Sequence, residues 1–98
     1  MKPPVPVIDR SRRTVTVGDV VFRPHPQAFE LFALLGRNPG HLCSADAIRA
    51  ACHAEANVHE FTHNKIVQRA RAELRQAGLR PDLIKGVWRF GYYWDDGN

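Results

Sequence analysis

The sequence predicts an α+β domain in which a small antiparallel sheet leads, three helices follow and a hairpin closes the chain. Short β-branched segments separated by turn residues fill the first quarter, apolar residues then recur at helical spacing, and two aromatic-rich extended runs follow Pro81. With 98 residues the chain buries roughly 65% of its unfolded surface, enough for one core and too little for two. A single domain over residues 1–98 is therefore expected, with 1–6 as a flexible lead and 95–98 as a tail.

The elements follow from period and punctuation. Residues 5–9, 14–17 and 20–23 are rich in β-branched side chains and separated by Ser11-Arg12-Arg13 and by Gly18-Asp19, so they form the strands of the leading sheet. Pro24 and Pro26 stop further pairing. Pro26 suits the first turn of a helix bearing Phe29, Phe32, Ala33 and Leu35, which Asn38-Pro39-Gly40 ends. After the extended link His41-Leu42-Cys43, Ser44 is the N-cap of a second helix whose stripe is Ala47, Ile48, Ala51 and Cys52, with Asp46 in its first turn. Residues 54–60 lose periodicity and connect to a third helix over 64–77, closed by Gly78. Residues 83–88 and 90–94 pair as a hairpin around Arg89.

The third helix divides most cleanly. At helical rotation Ile66, Val67, Ala70, Leu74 and Ala77 share roughly 100° of arc, the stripe that a surface helix buries. The rest of its circumference is polar: Lys65, Gln68 and the small Ala72 lie near the centre, flanked by Asn64, Arg69, Arg71 and Arg75, so four cations face one anion, Glu73. Amide and ammonium tips on such a face reach base edges while flanking guanidinium groups meet phosphates. A merely solvated basic face has the same composition.

Charge agrees with an anionic partner: the formal net charge is +4 and the pI near 9.6. No segment approaches the roughly 18 apolar residues of a membrane span, and residues 1–7 carry a lysine and three prolines where a secretory signal needs an apolar core. A cytoplasmic protein without membrane contact is expected. Cys43 and Cys52 read as reduced packing residues; His59 and His63 are spaced i, i+4, but the intervals to the cysteines match no compact zinc module, so no metal is expected. No nucleophile, histidine and carboxylate form a recognisable set, and no glycine-rich phosphate loop follows a strand, so neither catalysis nor a cofactor is expected. Of the aromatics Phe90, Tyr92, Tyr93 and Trp94, alternation turns about half inward, which favours packing over base stacking.

Three blocks resemble the winged helix-turn-helix effector domain of OmpR/PhoB-type response regulators: AFELFALLGRNPG over 28–40 followed by HLCS over 41–44, KIVQRARAEL over 65–74, and IKGVWRFGYYW over 84–94. Their order and spacing also match. The resemblance implies a sequence-specific, double-stranded DNA-binding transcription regulator of a bacterium or phage, with helix 64–77 in the major groove and the wing 83–94 toward the minor groove. Carried over by position, Asn64, Lys65, Gln68 and Arg69 approach bases, Arg71 and its neighbours, Arg75 among them, contact phosphates, and Arg89 reaches the minor groove or a phosphate. Tandem copies on adjacent half-sites, making a homodimer on DNA, are implied as well, and the loop 54–60 corresponds to the segment some relatives offer to RNA polymerase.

Departures mark a divergent member. Trp88 stands where relatives carry a minor-groove arginine, Arg89 replaces a glycine, Ala28 replaces an acidic residue and His53 an aromatic. No receiver domain precedes the module in this sequence, so a phosphorylation switch is not expected. Two other functions share the fold: an adaptor or inhibitor acting on RNA polymerase or another regulator, and a nucleoid-type DNA binder with weak sequence preference. The cationic face of helix 64–77 separates the first from a DNA binder; the specificity ratio separates the second.

Overall fold

The computed structural model describes residues 3–52 and 63–97. Their order is β1 (Val7–Asp9), β2 (Thr14–Val17), β3 (Val20–Phe22), α1 (Pro26–Arg37), α2 (Ala45–Cys52), α3 (His63–Gln76), a 3-10 turn (Pro81–Leu83), β4 (Ile84–Val87) and β5 (Gly91–Trp94). This is a winged helix. The loop expected over 54–60, with His53 and His59, lies outside the described residues.

β1, β2 and β3 form an antiparallel meander in which Ile8, Val15 and Phe22 are cross-strand partners. The period of two turns that row toward the core, where Val15 and Val17 are fully buried, and leaves Val7 and Val21 on the outer face. β1 begins at Val7 rather than Val5 because Pro4 and Pro6 have no N–H to give a ladder. Pro4 is instead an acceptor: its carbonyl takes the indole N–H of Trp94 at 2.9 Å. Pro6 is buried against Gly36, where an added Cβ would come within 2.8 Å of Pro6 Cγ. These contacts hold part of the segment expected to be a flexible lead.

α1 is the central helix. Pro26 opens it, His25 caps it by accepting the Gln27 N–H on Nδ1 at 3.4 Å, and Ala28, Phe29, Leu31, Phe32, Ala33 and Leu35 are buried. That stripe is wider than its spacing alone suggests because α1 packs against α2 and α3 and also against β1, β2 and β5. Phe32 joins the layers. It meets Phe22 of the sheet and Trp94 of β5 edge-on, with ring centroids 5.5 and 6.2 Å away.

α2 begins as expected, with Ser44 Oγ accepting the Ala47 N–H at 3.1 Å. Its buried stripe is narrower than expected: only Ile48 and Cys52 are buried, while Ala47 is exposed and Ala51 half-buried. α3 buries Ile66, Val67, Ala70 and Leu74. Its end is a Schellman closure, with Leu79 N–H on Leu74 O at 2.8 Å, Gly78 N–H on Arg75 O at 3.0 Å, and Gly78 at φ +85°.

β4 and β5 pair antiparallel with Ile84 opposite Trp94 and Val87 opposite Gly91. Leu83, expected in the strand, belongs to the 3-10 turn that Pro81 starts, and Trp88 and Phe90 belong to the connecting turn. Trp94 at the base of this wing is fully buried.

Candidate functional site

The buried stripe of α3 fixes what its other side presents. Asn64, Lys65, Gln68, Arg69 and Arg75 are exposed together on that side. Two residues that the helical wheel places with them turn elsewhere. Glu73 is half-buried: its Oε1 accepts the His25 N–H at 2.8 Å at the entrance to α1. Burial pushes its carboxyl up from the ordinary 4.5, against the smaller opposing pulls of the His25 N–H and the charges of Arg69 and His25. Its Oε2 is buried without a hydrogen-bond partner among the described residues. With Gln76, which is exposed at the end of the helix, the exposed face of α3 is thus three cations, three amides and no carboxylate. The spacing carries the signal for this correction, since Glu73 lies seven residues after Ile66 and three after Ala70, on the buried row.

Arg71 is the other. It is half-buried, and its Nε and Nη2 both donate to the Ile84 carbonyl of β4, at 3.2 and 2.8 Å. The guanidinium also lies 5.7 Å from the centre of the Tyr92 ring. Arg71 therefore ties α3 to the wing. Tyr92 makes a second tie, its hydroxyl donating to Asn64 Oδ1 at 2.7 Å. That bond occupies the acceptor end of Asn64 and orients its amide N–H donors, the half that can meet an acceptor on a base edge or a phosphate.

The wing is fastened on its other side to the α1–α2 link. Cys43 N–H donates to Tyr92 O at 2.7 Å, Tyr92 N–H returns to Cys43 O at 3.0 Å, and Gly40 N–H reaches Trp94 O at 2.9 Å. Gly91, at φ +145°, permits this approach, because a Cβ there would collide with Cys43 O. Above these ties the wing stands clear. Its turn is closed by Phe90 N–H on Val87 O at 3.0 Å, with Arg89 in the left-handed region at φ +70°. Trp88 is 82% and Phe90 66% exposed. Inward packing, expected for about half the aromatics, holds for Trp94 and partly for Tyr92, and fails for Phe90 because the tip of the hairpin extends past the helices.

α3 and the wing together bound one open cleft of about 770 Å³, lined among others by Ser44, His63, Asn64, Arg71, Trp88 and Tyr92. The predicted residues thus fall into three groups. Lys65, Gln68, Arg69 and Arg75 stand exposed on α3; Asn64 and Arg71 link α3 to the wing; Arg89 is exposed at the wing tip. The role of Arg71 in holding the wing, and the exposure of Trp88, were not read from the sequence. Arg71 follows Val67 by four and precedes Leu74 by three, which places it at the margin of the buried stripe.

Burial pushes the Cys52 thiol up to about 12, with the Glu30 charge adding to the shift, and raises Cys43 as well. Both sulfurs are protonated packing groups. Among the described residues no three His, Cys, Asp or Glu side chains gather closely enough to hold a metal ion, and no helix is long and apolar enough to cross a membrane.

Comparison with known proteins agrees with this geometry. Residues 21–94 match the model of the family described as transcriptional regulatory protein, C terminal. Among solved structures, the chain is similar to the DNA-binding domain of the response regulator AdeR in complex with an intercistronic region, at 16% identity and TM-score 0.75, covering 93% of each chain. It is also similar to the C-terminal DNA-binding domain of RstA from Klebsiella pneumoniae, at 20% identity and TM-score 0.68, covering 97% of this chain and 87% of that one. Comparison with curated proteins gives no match.

Proposed function

Because the chain belongs to the OmpR/PhoB-type family of transcriptional regulatory protein C-terminal domains, and is on that ground a DNA-binding transcription-regulator domain, we propose that it reads sequence in double-stranded DNA with α3 in the major groove and the wing toward the minor groove. One observation carries the reading: Lys65, Arg69 and Arg75 share an exposed, carboxylate-free helix face with Gln68 and the donor end of Asn64, and the wing is bonded to that same helix. The fold shared with AdeR, whose DNA-binding domain is seen with an intercistronic region, supports the same partner.

The side chains divide by chemistry. Arg69 is the principal base reader, since its guanidinium fork bonds both acceptors of a guanine edge, a contact worth about 1–3 kcal/mol of discrimination. Gln68, Lys65 and Asn64 read or position alongside it. Arg75 meets phosphate, and Arg71 combines alignment of the wing with a phosphate contact through Nη1. Arg89 lies at the wing tip for the minor groove. Two copies on half-sites about one helical turn apart supply the surface a single module lacks.

The test is a pair of variants on duplex DNA. Arg69→Ala relaxes base preference while retaining general affinity; Arg75→Ala weakens all sequences alike and lowers the salt slope by about one. Unchanged preference in the Arg69 variant would remove that residue from the reading.

A further inference from the structure

The wing tip carries an unusual trio for a solvent-exposed turn: Trp88, Arg89 and Phe90, with both aromatic rings uncovered and the Arg89 guanidinium 5.9 Å from the Trp88 ring centre. Below it the wing is fixed by Arg71 on Ile84 O, by the paired bonds between Cys43 and Tyr92, and by Asp95 N–H on Leu83 O at 2.8 Å. The tip turn is closed by its own hydrogen bond, with a non-glycine residue held in the left-handed region to shape it. Such a pair of rings on a braced support is built to enter something. The charge between them is positive, and they line the same cleft as His63, Asn64 and Arg71 of α3; the carboxylate in that cleft, Asp46, is paired with Arg49.

Resting on the DNA-binding reading above, we propose that Trp88 and Phe90 form an aromatic wedge that enters the minor groove of the bound duplex, partly unstacks one base step and bends the DNA. A flat ring is apolar on its faces and so stacks on any base, whereas Arg89 between the two rings is drawn by the negative potential of the groove. Pyrimidine–purine steps, which unstack at least cost, are favoured beneath the tip, so the wedge adds sequence preference at a position α3 does not touch. An acidic protein surface offers Arg89 a partner but gives the two rings no stack to enter.

The experiment uses the whole chain and the pool of 30-base-pair duplexes it retains from random sequence at low salt, carrying a donor and an acceptor dye at their ends. The wild type raises end-to-end energy transfer on binding, and its tryptophan emission falls by about half; Trp88→Phe, which keeps the buried Trp94, loses that quenching. The double variant Trp88→Ala/Phe90→Ala binds about tenfold more weakly, keeps the wild-type Trp94 emission that reports an intact fold, and no longer bends the duplex. Arg69→Ala still bends the duplexes it binds, which separates the wedge from base reading by α3. Equal bending by the double variant, or Trp88 emission unchanged on saturated DNA, overturns the wedge and leaves DNA binding standing. A concentration-dependent shift of Trp88 emission without DNA assigns the tip to a second copy of the chain and also overturns it. Failure of the wild type to retain any duplex overturns both readings.

Discussion

Arg71 and Gly91 decide where the wing stands relative to α3. Arg71 gives two donors to one carbonyl, and hydrogen bonds from charged groups are worth about 1.5–3 kcal/mol when buried. Partial exposure puts the cost of Arg71→Ala nearer 1 kcal/mol. The variant also loosens the wing, so DNA affinity falls further than one lost phosphate contact explains, while the salt slope drops by less than one; titrations at several salt concentrations measure both. Gly91→Ala meets a harder obstacle, since its φ of +145° is one that L side chains rarely adopt and its Cβ would collide with Cys43 O. Thermal unfolding should show a loss of about 2 kcal/mol or more. Glu73 sets a pH dependence. Its folded-state pKa lies above the ordinary 4.5, so the stability it contributes is full below 4.5 and declines as pH rises through the higher folded value. Glu73→Gln keeps an acceptor for His25 N–H without the charge. Its melting temperature should exceed that of the wild type at pH 7, with the gap closing toward pH 4.

At the level of elements, the parts governed by local rules were legible in the residues and those governed by packing were less so. Pro26 starting α1, Ser44 capping α2 and Gly78 closing α3 all act through their own backbone neighbours, and each stands where its chemistry put it. Ser44→Ala should therefore cost about 1 kcal/mol, seen as a fall of about 4–8 °C in melting temperature. The buried stripe of α2 is narrower than its spacing suggests because small alanines fit either a core or a surface, and only the neighbours of Ala47 decide which. Strand ends shifted for the same reason: Phe90 is as good a strand former as Tyr92, but the hydrogen bond from Phe90 to Val87 makes it part of the turn. On α3 the expected stripe holds for Ile66, Val67, Ala70 and Leu74 but not for Ala77, which is half-buried beyond the helix end, and at its margins Arg71 and Glu73 find partners in β4 and before α1, far away in sequence. Periodicity along one helix carries no information about such partners.

The whole molecule is a scaffold that holds one helix and one hairpin against each other. The sheet and α1 supply the core, the chain of rings Phe22, Phe32 and Trp94 runs from sheet to wing, and the cations left exposed on α3 and at Arg89 lie on the elements that core supports. Net charge of +4 favours DNA of any sequence; in the function proposed above, the exposed amides and the fork of Arg69 turn that attraction into choice. Selection of duplexes from a random pool by the purified chain at near-physiological salt tests that claim most directly. The expected outcome is an enriched motif, present as a direct repeat spaced by about one helical turn, whose base preference relaxes in Arg69→Ala. Retention without any enriched motif would contradict sequence reading by α3, and no retention at all would contradict the assignment of its exposed face to DNA.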